Sequence, residues 1–124
     1  MSIENKIIDL GKKAKIASKK IRVASHESKN KALKNLIANI KKNSKKILTS
    51  NQLDIKNAKN NSLSAPLINR LMMDESSINN LVKSIKNIIV LPDPVGKNLG
   101  EWTRPNGLII KKISVPLGVL GVIY

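Results

Sequence analysis

Residues 111–124 read KKISVPLGVLGVIY, an apolar strand-turn-strand passage in which Pro116 and Gly118 separate one β-prone run, Ile113 to Val115, from another, Val119 to Tyr124. β-Branched and aromatic residues bounded by Pro and Gly are the sequence signature of a strand. The second run carries no charge and no proline, and the chain stops within it. That ending predicts an unfinished domain whose first strand lies at Val119–Tyr124.

Working back from this stretch, Leu99–Thr103 and Leu108–Val115 flank the turn Arg104-Pro105-Asn106-Gly107, which predicts a β-hairpin. Leu91-Pro92-Asp93-Pro94 precedes it. Neither proline can donate a backbone hydrogen bond, and each pushes the residue before it out of the helical region, so a helix ends here. Asp93-Pro94-Val95-Gly96 reads as a turn that aims the hairpin, with a hinge as the alternative.

Upstream of Pro92 the periodicity is helical. Ile3, Ile7, Leu10, Ala14, Ala17 and Ile21 fall on one stripe of a lysine-rich amphipathic helix. Ser25 reads as the N-cap of a second helix with its apolar stripe at Leu33, Leu36, Ile37, Ile40, Ile47 and Leu48. A third runs from about Gln52 to Lys59, stopped by Asn60-Asn61-Ser62. Ser64 caps a brief helix with Leu67, Ile68 and Leu71, and Asp74 caps the most regular one, with Ile78, Leu81, Val82, Ile85, Ile88 and Ile89.

The 124 residues could bury one ordinary core. There is no cysteine and a single histidine, which excludes disulfides and leaves almost no ligand set for zinc. No apolar run approaches the length a membrane-spanning helix needs, so a soluble cytoplasmic protein is expected.

The net charge of +15 raises nucleic acid or an anionic membrane as ligands. Twenty of the 23 basic residues are Lys, Arg is nearly absent, and the only aromatics are Trp102 and Tyr124, so neither phosphate forks nor a base-stacking platform can be assembled. Residues 1–59 carry 15 Lys and one Arg against Glu4, Asp9, Glu27 and Asp54, a net +12, while the remainder carries +3. A solvated helical face accounts for this charge, and the Lys41–Lys46 cluster on it is read the same way rather than as a phosphate contact. A self-contained basic helical module binding nucleic acid or an acidic partner non-specifically stands as the alternative reading of the whole chain.

Several stretches carry a resemblance in order and spacing: Lys29-Asn30-Lys31-Ala32-Leu33, Asn51-Gln52-Leu53-Asp54 with Ala58, Leu63-Ser64 through Asn69-Arg70-Leu71, Asp93-Pro94-Val95-Gly96, and Val115-Pro116-Leu117-Gly118-Val119 followed by Leu120-Gly121-Val122-Ile123-Tyr124. Together they resemble the gamma-glutamyl phosphate reductase (glutamate-5-semialdehyde dehydrogenase) family of the aldehyde dehydrogenase superfamily, with Asn69 where that family has Asp. The resemblance covers essentially the whole chain and implies an N-terminal portion only.

It implies an α+β fragment: a helical region at 1–91, a turn and β-hairpin at 92–116, and at 117–124 the first strand of an aldehyde-dehydrogenase-like α/β nucleotide-binding domain. The activity it implies is NADPH-dependent reduction of L-glutamyl 5-phosphate to L-glutamate 5-semialdehyde in proline biosynthesis. That chemistry needs a cysteine thiolate, which this chain lacks, so no catalytic residue and no metal ligand are assigned and the chain alone is expected to be inactive and to bind no NADPH. By the same resemblance only Ile123 and Tyr124 reach the dinucleotide groove, and the hairpin 99–115 is an arm that pairs with a neighbouring subunit of a homo-oligomer. Gly118 and Gly121 do not form a G-x-G-x-x-G loop and are read as allowing close chain packing. His26 and Trp102 are read as a residue of a helix-capping region and as packing surface against another element or subunit, over a catalytic base and a ligand-stacking ring.

Overall fold

A computed structural model of the chain describes residues 2–123. Five helices, α1 (Ile3–Arg22), α2 (His26–Lys42), α3 (Ser44–Asn60), α4 (Ala65–Leu71) and α5 (Glu75–Ile89), precede two strands, β1 (Asn98–Thr103) and β2 (Ile109–Ile113). The described residues fall into two compact units: 2–26 together with 92–123, and Glu27–Leu91.

The second unit contains the core. Ile78, Val82 and Ile85 of α5 are buried together with Ala58 of α3, and α3 packs on both α4 and α5. Burial of each of the three aliphatic side chains contributes about 1.5–3 kcal/mol. The helix that supplies them starts at a reciprocal cap: the Asp74 carboxylate accepts from Ser77 N at 2.7 Å, and Ser77 Oγ meets the Asp74 N–H at 3.2 Å. Two backbone donors with no partner inside the helix are thereby satisfied.

The second and third helices divide differently from the expectation. The periodicity places one helix through Leu48 and the next from Gln52, whereas the chain runs helical from Ser44 to Asn60 and breaks at Asn43. The break has a side-chain cause. Asn43 Nδ2 donates to Asn39 O at 2.8 Å, the same carbonyl that accepts Asn43 N at 3.0 Å, so the side chain competes with the backbone ladder in the last turn of α2. Helix α3 then ends as expected at Asn60-Asn61-Ser62, through Leu63 N to Ala58 O and a left-handed Ser62 at φ 56°.

In the first unit, α1 forms over the expected stripe, capped by Ser2 Oγ on Asn5 N at 3.2 Å, but buries none of its residues. Strands β1 and β2 pair antiparallel with Trp102 opposite Ile110 and Glu101 opposite Lys111, and the register shifts once between Asn98 and Gly100. The turn closes through Gly107 N to Arg104 O and Arg104 N to Leu108 O, each 2.9 Å, with Gly107 left-handed at φ 83°.

The expected third strand does not form. Val119–Ile123 has no regular structure and pairs with no other strand among the described residues. A strand needs a neighbour to satisfy its backbone donors and acceptors, and β-propensity alone supplies none. Tyr124 lies outside the described residues.

Candidate functional site

Two features of the folded chain are built by residues distant in sequence. The first is a clamp in the helical unit. Asn51 on α3 is buried, its Nδ2 donates to Leu71 O at 2.8 Å, and its Oδ1 accepts Met73 N at 2.8 Å. A side-chain amide has one donor group and one acceptor oriented in a fixed plane, so it satisfies the last carbonyl of α4 and the connection into α5 at once. A shallow concave surface beside it is lined by Lys46, Ile47, Ser50, Asn51, Asp54 and Met73.

The second is the base of the hairpin. Ser114 Oγ donates to Pro94 O and accepts Lys97 N at 3.0 Å, and the backbones join through Gly96 N to Ser114 O and Ser114 N to Lys97 O. Asp93 Oδ1 accepts Val95 N at 3.0 Å within the same turn, and Gly96 takes the left-handed φ of 78° the reversal requires. The turn Asp93–Gly96 is therefore tied to the end of β2, which favours the aiming role over a hinge.

Each unit, taken by itself, also exposes apolar residues. Ile3, Ile7, Leu10 and Ile21 on α1, Leu81 and Ile88 on α5, and Leu99, Leu108, Ile109 and Ile113 on the hairpin are all exposed, Ile3 to 81%. Trp102 is 47% exposed. Its ring lies over Gly100, where a Cβ would stand 3.9 Å from Cζ3, and it faces Ile110 across the sheet. One face of the hairpin thus joins Trp102 to Ile110, and the other joins Glu101 to Lys111 through an ion pair at 3.2 Å.

Of the two residues assigned to the dinucleotide groove, Ile123 is fully exposed and outside any element, and Tyr124 is not described. A Cβ at Gly118 or Gly121 would meet nothing within 4 Å, so close packing is not their role among the described residues; Gly118 is instead required by its φ of 95°. His26 is the exposed first residue of α2, and Lys41, Lys42, Lys45 and Lys46 are exposed on either side of the Asn43 break. Among the described residues no group of three or more His, Cys, Asp or Glu could hold a metal ion, and no helix is long and apolar enough to cross a membrane.

No family model matches the chain. Against known proteins it is 45% identical over 120 residues to gamma-glutamyl phosphate reductase of Carboxydothermus hydrogenoformans, covering 97% of this chain and 29% of that protein. It is 42% identical over 123 residues to that of Ruthia magnifica, covering 99% and 29%. Its fold superposes on the crystal structure of the Thermotoga maritima reductase with a TM-score of 0.83 at 31% identity, over 88% of this chain and 26% of that one. The chain is homologous to the N-terminal portion of gamma-glutamyl phosphate reductases. The Saccharomyces cerevisiae reductase gives a TM-score of 0.82 at 26% identity, over 94% of this chain and 29% of that one. The five helices and the antiparallel pair match these reductase structures, and the chain spans about three tenths of the length of the relatives it matches.

Asn51 is legible in the sequence only as part of a matching motif. Its clamp is not, because Leu71 and Met73 lie 20 and 22 positions away. Ser114 gives no local signal either: a serine ending a strand has no marker for a partner 20 residues upstream.

Proposed function

We propose that this chain serves as the N-terminal part of a cytoplasmic, NADPH-dependent gamma-glutamyl phosphate reductase, acting on L-glutamyl 5-phosphate to give L-glutamate 5-semialdehyde in proline biosynthesis. The observation that carries the reading is 45% identity across 97% of the chain to a reductase of that name. The chain's contribution is scaffold and interface. It has no cysteine to capture the acyl group, so the nucleophile is supplied from outside these residues.

Within that enzyme, residues 1–91 form the helical region, 92–116 the turn and hairpin, and 117–124 the entry to the NADP-binding domain, with Ile123 and Tyr124 at the dinucleotide groove. The hairpin is the arm through which a homo-oligomer assembles. Two features support this: an edge on each strand that no other strand covers among the described residues, and the exposed apolar side chains of the hairpin.

The test is a chimera in which these 124 residues replace the homologous segment of the Carboxydothermus hydrogenoformans reductase. Phosphate-dependent reduction of NADP by glutamate 5-semialdehyde is the readout. Turnover is expected; a chimera that folds, assembles and binds NADPH but shows none sinks the proposal.

A further inference from the structure

We propose that Asn106 is a site of spontaneous covalent modification, at which the side-chain amide is lost through a cyclic imide formed with Gly107 and the hairpin tip is converted to aspartate and isoaspartate. Of the fifteen asparagines in the chain, Asn106 alone precedes a glycine. A glycine has no Cβ to shield its backbone nitrogen, and residues 104–109 are all exposed to water.

The reaction needs only water. The backbone nitrogen of Gly107 attacks Cγ of Asn106, the N–Cγ bond forms, the Cγ–Nδ2 bond breaks, and the proton from Gly107 N leaves with Nδ2 as ammonia. Water then opens the imide at either carbonyl. One opening gives aspartate on a normal backbone. The other gives isoaspartate, with the main chain routed through the side chain and one methylene longer.

The hydrogen bonds of the turn set when this happens. Gly107 N–H donates to Arg104 O at 2.9 Å, and Asn106 Oδ1 accepts Leu108 N–H at 3.2 Å. In the closed turn the attacking nitrogen and the carbonyl to be attacked are each held by a different partner, so reaction waits until the turn opens. Opening is the expected behaviour of this element. The hairpin has two strands only, and a two-stranded sheet by itself is marginally stable in water.

The consequence is a lasting change at the tip. Aspartate adds a negative charge two residues from Arg104, and the isoaspartyl methylene lengthens the loop between Arg104 and Leu108, whose pairing at 2.9 Å closes the turn. The chemistry depends on the turn alone and not on the enzyme proposed above.

The experiment incubates the full chain at neutral pH and physiological temperature, then isolates the tryptic peptide Asn98–Lys111. Mass spectrometry with fragmentation locates the acid, and isoaspartyl methyltransferase counts the isoaspartate. A second arm uses Trp102→Ala, which removes the cross-strand partner of Ile110 and leaves the turn sequence intact. Conversion confined to Asn106 is expected, about two- to fivefold faster in the variant, the change in opening produced by loss of one such pair. No conversion at Asn106 in the folded chain while a synthetic peptide of the same residues converts, or equal rates in chain and variant, overturns the proposal.

Discussion

The amide of Asn51 is shared between the end of one helix and the approach to another: Nδ2 on Leu71 O and Oδ1 on Met73 N, each at 2.8 Å, with the side chain buried. Because the α4–α5 connection at Met72–Asp74 lies outside both helices, this amide fixes the direction in which α5 delivers Ile78, Val82 and Ile85 to the core.

Asn51→Leu therefore removes two hydrogen bonds and leaves Leu71 O and Met73 N to find new partners. The expected loss is about 1–3 kcal/mol, read as a lower urea midpoint with an unchanged slope. A variant as stable as the parent shows that the clamp contributes nothing.

Ser62 occupies the left-handed region at φ 56°, where a Cβ is strained and glycine is not. Ser62→Gly is expected to raise stability by about 0.5–1 kcal/mol. The same denaturation curve checks it; destabilisation means the entropy glycine adds to the unfolded chain exceeds the relieved strain.

The side-chain hydroxyl of Ser77, then its backbone N–H, hold the Asp74 carboxyl below its ordinary value. A depressed folded-state value stabilises the protein above the unfolded value, and that stability is lost as pH falls through the folded one. The stability advantage of the parent over Asp74→Asn should thus be present at neutral pH and shrink as pH drops below the usual carboxylate range. Parallel pH profiles for the two proteins would remove the carboxylate from the account of α5 capping.

Ser114→Ala deletes the donor to Pro94 O and the acceptor of Lys97 N. Amide exchange at Lys97 should accelerate by about fivefold, the effect of losing roughly 1 kcal/mol of local hydrogen bonding, while amides in α3 and α5 stay unchanged. Equal exchange at Lys97 in both proteins contradicts the knot at the hairpin base.

Purified by itself, the 124-residue chain should show no NADPH oxidation with gamma-glutamyl phosphate, since it carries no thiol nucleophile. Turnover above a no-protein control that disappears on mutating a residue of this chain overturns that expectation.

Local patterning makes α5 and the hairpin legible in the sequence. Asp74 marks a helix start, the apolar spacing from Ile78 to Ile89 marks one face, Pro92 ends the passage, and Arg104-Pro105-Asn106-Gly107 marks a chain reversal, while the reciprocal bond from Ser77 is visible only in the structure. Each is a short-range feature, determined by backbone dihedrals and neighbouring hydrogen bonds, and the ordered motifs add the family. Tertiary structure decides what those patterns cannot. The stripe on α5 predicts six inward residues, yet Leu81 and Ile88 are exposed while Ile78, Val82 and Ile85 are buried, because α3 covers only part of that face. The stripe on α1 is equally regular and buries nothing. The run Val119–Ile123 has the composition of a strand but no partner among the described residues, and a strand exists only in a pair. Periodicity tells which side of an element is apolar; only the neighbour that removes that side from water makes it a core.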